Sequence, residues 1–133
     1  RDVYKRQPVY FGDITGQLRS FLERLFFPYL VYDNNHSSIA PKKMATAIIY
    51  TMNVTEEIMN KSGYLSTFNN VEGVIERIFT KPLVMHSNDT YQFDDYSKYK
   101  MEVFSEEAKA EHRKIQFPLD CQKAFEIGAS LIK

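Results

Sequence analysis

The sequence has no tryptophan, a single cysteine at position 121, no excess of either charge and no long apolar run. Each shortage excludes something. One thiol cannot form an internal disulfide or a multi-cysteine metal site within the chain; it fits a reducing compartment, so the expected location is cytoplasmic. Seventeen basic residues balance seventeen acidic ones, which leaves no electrostatic case for nucleic acid or an anionic membrane as partner. No apolar stretch nears the length that spans a bilayer, and the N-terminal residues carry no apolar core like that of a signal peptide. His36, His86 and His112 are isolated from other ligand types, so no metal site is expected. What is there suits one globular domain with a modest core: 133 residues, 44% hydrophobic and 26% charged. Nine Tyr and ten Phe make it rich in aromatics, and several of them fall in polar stretches rather than apolar ones.

Periodicity divides the chain. Residues 1–7, RDVYKRQ, alternate charge with no usable apolar face. They resemble a translated adapter tail left by gene assembly and are set aside as a non-native scar, so the native domain is expected to occupy residues 8–133. Asp13 is the expected N-cap of a helix whose stripe is Ile14, Leu18, Phe21, Leu22, Leu25 and Phe26, closed by Pro28. The run from Met44 reads as a buried strand over Ala47 to Tyr50. Its unbroken apolarity favours a parallel, doubly covered sheet. Asn53 with Glu56 resembles a capping box, and Gly63 ends that helix. Val71, Val74, Ile75, Ile78 and Phe79 form the next stripe. LVMHS from Leu83 is a second strand. Residues 88–104 read as an ordered aromatic loop in which Tyr91, Phe93, Tyr96 and Tyr99 either reach a partner or ligand or cover the sheet edge. Ser105 caps a long helix with Glu106 and Glu107 in its first turn. Pro118 is expected to kink or split it. Beyond it Cys121, Ala124, Phe125, Gly128, Ala129 and Ile132 share a face, read as packing on the sheet, with Cys121 as small core filler. Alternating helices and continuous apolar strands predict an α/β fold, yet two strands are too few for an open sheet to be stable alone.

Three stretches, PVYFGDITGQLRSFLERLFF from Pro8, IIYTMN from Ile48 and DTYQFDDYSKY from Asp89, resemble the later half of flavodoxin-fold NAD(P)H-dependent FMN reductases and their iron-sulfur flavoprotein relatives. The resemblance implies a flavodoxin-like three-layer parallel sheet, strand order 2-1-3-4-5, incomplete here: the first two strands and most of the third are absent. It also implies FMN beyond the carboxyl ends of the strands. The family's first, phosphate-binding loop has no counterpart in this sequence. Its second corresponds to Pro8 through Thr15, with Pro8, Val9, Tyr10 and Phe11 lining the isoalloxazine plane. Its third corresponds to Thr51, Met52 and Asn53, at the ring edge. The residue types suit a flat apolar tricycle with a polar rim: Tyr10 and Phe11 offer stacking surface, Gly12 lets backbone approach closely, and Thr15 and Thr51 carry hydroxyls.

By this resemblance the intact protein is expected to be an FMN-dependent oxidoreductase and a homodimer, since flavin sites in such relatives are often completed by a neighbouring chain. NAD(P)H is the reductant and a small flavin-, quinone- or nitro-type molecule the acceptor. The 133-residue stretch alone is expected to be inactive. No side chain stands out as a catalytic acid or base. Two alternatives remain open at this point: an iron-sulfur flavoprotein that transfers electrons without NAD(P)H, its cluster held upstream of Pro8, and a flavodoxin-like binding module that is not an enzyme.

Overall fold

The computed structural model describes residues 8–132; the expected scar at residues 1–7 lies outside the described residues. Helix α1 (Gly16–Phe26) is followed by strand β1 (Ala47–Thr51), helices α2 (Glu56–Lys61) and α3 (Tyr64–Ile78), strand β2 (Leu83–Ser87) and helix α4 (Glu106–Ser130). The two strands pair in parallel with no shift, Ala47 opposite Leu83 and Thr51 opposite Ser87. Pro8 makes an isolated parallel bridge to Thr51, and the Val9 amide donates to the Thr51 carbonyl at 2.8 Å. The entering segment therefore runs beside β1 in the same direction as both strands. This is a mixed α/β chain built on a parallel pair.

Side chains alternate across a strand, so the sheet has two distinct faces. Ile48, Tyr50 and Val84 join the core with α1 and α3. That core holds Phe26, Met59, Phe68, Val71, Ile75, Ile78 and Phe79. Tyr50 stacks on Phe68 with ring centroids 4.0 Å apart, and His86 stacks on both. Tyr64 meets Phe68 edge-on. Val74, expected on the same stripe, is exposed, because the core meets α3 along Val71, Ile75 and Ile78. The long connection between α1 and β1 is tied to α3 through Arg77, whose guanidinium donates to the carbonyls of Val31 and His36.

Two caps fall later than the sequence pattern predicts. Thr15, not Asp13, caps α1, its hydroxyl accepting from the Leu18 amide at 3.3 Å. The Asp13 carboxylate instead accepts from the Ile14 amide and takes both bonds from Arg19, at 2.7 and 2.8 Å. Likewise Thr55, not Asn53, caps α2. Gly63 closes α2 as expected, at φ +77°. Ser105 caps α4 as expected.

The largest departure is α4. It runs unbroken for 25 residues with Pro118 inside it. Pro118 lies on the exposed side, where water can serve the carbonyl its missing N–H leaves free. The stripe that turns toward the sheet is His112, Gln116, Asp120, Ala124, Ile127 and Leu131, all half-buried. Cys121 is exposed, as are Phe125, Gly128, Ala129 and Ile132, which corrects the reading of Cys121 as core filler. The reason is polar anchoring: Ser87 at the end of β2 donates to the Asp120 carboxylate at 2.5 Å, and Gln116 donates to its other oxygen.

Candidate functional site

A cleft of about 700 Å³ opens at the carboxyl ends of β1 and β2, between the entering segment, the loop after β2 and the middle of α4. Its lining mixes apolar side chains such as Ile49, Met85, Phe117 and Ala124 with polar ones such as Asn53, Ser87, Gln92, His112, Arg113 and Asp120. Both strands end here in turns that are bonded together. The Met52 amide donates to Ser87, the Thr90 amide to Met52 and the Asp89 amide to Val54.

Of the nine residues singled out for cofactor binding, six share this cleft: Pro8, Val9, Tyr10, Thr51, Met52 and Asn53. Phe11, Gly12 and Thr15 are not on its wall. Phe11 and Gly12 are the central pair of a two-residue turn. The amides and carbonyls of Tyr10 and Asp13 bond to each other across it, and both central residues have positive φ, +51° and +76°, as a type I′ turn requires. The positive φ favours glycine at position 12, and a Cβ there would also stand tight against the Tyr64 ring, at 3.0 Å. Phe11 projects fully into solvent at 107% relative exposure. Thr15 is occupied with the cap of α1.

The aromatic loop folds on itself. Tyr96 is buried, with Tyr91 and Phe93 against its ring, and Phe93 stacks on Tyr99 at 3.8 Å. The Tyr96 hydroxyl accepts from the Gln92 amide, and Tyr91 donates to Glu106 at the start of α4. Tyr91 and Phe93 thereby present one flank of the cleft. The Arg113 guanidinium lies over Tyr91 and Phe117 at 5.4 and 5.7 Å.

One atom in the cleft wall is conspicuous. Asn53 Oδ1 is buried and accepts no hydrogen bond among the described residues. A buried acceptor without a donor costs about 1–3 kcal/mol. The other two such atoms, Tyr50 Oη and His86 Nε2, belong to the stacked rings on the opposite face. Burial, then the charge of Glu72, pushes the Tyr50 hydroxyl well above the ordinary phenol range. Burial, working against the charge of Glu72, holds His86 below its usual value. Neither group is available for proton transfer in the cleft.

Sequence reasoning missed polar groups at and behind the cleft wall: Ser87 with Asp120, Arg113, and the ion pair of Asp89 with the buried Lys109. Nothing in the local pattern marks them, since each looks like an ordinary polar residue of a helix or turn. Comparison with family models, curated proteins and solved structures finds no match to this chain.

Proposed function

We propose that the cleft is the ring-binding part of an FMN site and that the chain belongs to a flavodoxin-like, FMN-dependent NAD(P)H oxidoreductase acting on small flavin-, quinone- or nitro-type acceptors. The observation that carries this reading is the location of the cleft. It lies beyond the carboxyl ends of adjacent parallel strands, where open α/β sheets bind their ligands. The lining suits a flavin ring: Val9 and the half-exposed Tyr10 offer apolar surface, and the Thr51 hydroxyl and Asn53 stand at its edge. When bound, a flavin would supply the redox chemistry. The chain would hold its ring, orient it and limit water around it. Phosphate donors fall to residues other than these nine.

The test is FMN titration of the 133-residue chain beside a form extended by the upstream sequence of its gene. The extended form should take up one flavin and oxidise NADH or NADPH when a quinone is supplied, whereas the chain alone should bind FMN weakly or not at all. In the extended form Tyr10→Ala should weaken FMN binding by about 1–3 kcal/mol through lost contact area, read by flavin fluorescence. An extended form that takes up no flavin overturns the reading, and an unchanged dissociation constant removes Tyr10 from the site.

A further inference from the structure

Lys109 is the one buried residue of α4, at 2% exposure. Burying an ammonium costs several kcal/mol unless it is paired and hydrogen-bonded, and here it is both. Its Nζ donates to Asp89 Oδ1 at 2.5 Å, to the Asn53 carbonyl at 2.9 Å and to the Thr90 carbonyl at 3.5 Å. The Phe104 ring closes the remaining side, 4.6 Å from the charge. Those contacts join three separate pieces: the turn after β1, the turn after β2 and the first turns of α4. Asp89 sits at φ +52°, a conformation that an Asp tolerates and most residues do not. Its amide and that of Thr90 supply the backbone bonds between the two turns.

We propose that Lys109 is the positioning residue of the cleft. Its charge clamps the two strand-end turns together and so fixes the backbone of Asn53, a residue of the cleft wall whose carbonyl accepts from Lys109. The identity of the cleft's ligand rests on the flavin reading; the clamp itself does not.

Amide hydrogen exchange on the 133-residue chain tests the clamp. In Lys109→Met the Asp89 and Thr90 amides should exchange at least about tenfold faster, the scale of a lost charge-assisted hydrogen bond, while the amides of the β1–β2 ladder stay within about twofold. Asp89→Asn is the gentler variant, because Asn keeps the left-handed backbone preference and only the charge goes. It should release the same two amides. In Lys109→Ala, propylammonium should restore their protection and propanol should not, a difference that packing alone would not produce. Uniform acceleration along the whole chain, unchanged Asp89 and Thr90 amides, or equal rescue by the alcohol would each overturn the proposal. In the extended form, Lys109→Met should also raise the FMN dissociation constant at least about fivefold. Loosened amides in a protein that binds no flavin would sink the flavin reading and leave the clamp standing.

Discussion

The two faces of the β1–β2 pair are built on opposite principles. On one, α3 delivers Phe68, Val71, Ile75 and Ile78 to a closed core in which Phe68 and Ile78 are wholly buried. On the other, 25 residues of α4 bury one side chain, and it is a lysine. Phe125 on that helix stands 72% exposed. The first face is held by apolar area, which is tolerant of direction, together with ring stacking. The second is held by a few directed bonds, Ser87 to Asp120 and Lys109 to the strand-end turns. A face held that way leaves a cavity beside it, and the cleft is that cavity. The difference teaches that stability and site are divided between the two sides of one small sheet.

The comparison can be broken most directly at its two phenylalanines. Phe68→Ala should cost about 3–5 kcal/mol, as for a large residue deleted from a packed interior, whereas Phe125→Ala should change stability by less than about 0.5 kcal/mol. Urea unfolding of both variants checks this. Similar losses would mean that the α4 face is packed in solution. A smaller effect sharpens the contrast through pH. His86 belongs to the closed face and is held below its ordinary pKa by burial. Above about pH 6.5 both folded and unfolded forms are neutral. As pH falls below that, the unfolded chain takes up the proton first, so stability declines until the folded-state pKa is reached. His86→Phe keeps a ring in the stack and should abolish this part of the acid loss. Thermal melts across pH 7 to 5 read it; an unchanged slope would place the acid sensitivity elsewhere.

Much of the closed face was legible in the sequence. The stripe of α1, the continuous apolarity of β1, and Val71, Ile75, Ile78 and Phe79 all point to one buried side, and both strands lie where their apolar runs are. The caps were legible only to within two residues. Asp13 competes with Thr15, and Asn53 with Thr55. The choice is made by partners such as Arg19 that local spacing does not show. The α4 face was misread for a related reason. A helix can carry two stripes, and residue type alone favoured the small apolar one, yet the polar stripe meets the sheet because Ser87 waits there. Of the cleft, Pro8 to Tyr10 and Thr51 to Asn53 were visible only through the family resemblance carried by their stretches. Lys109 and Asp89 were not: they are 20 positions apart, and a lysine in a helix is ordinarily solvated.

The turn at Tyr10–Asp13 has a consequence in the language of energy landscapes. Two positive φ values in succession ask for Asn-Gly, and the chain has Phe11-Gly12. It thus spends backbone strain to hold an aromatic ring in water, two unfavourable choices at one position. A sequence whose levels otherwise agree folds down a smooth funnel, and the places where they disagree are points of local frustration. Phe11 is such a point. Replacing it by Asn would relieve the turn and remove the exposed ring together.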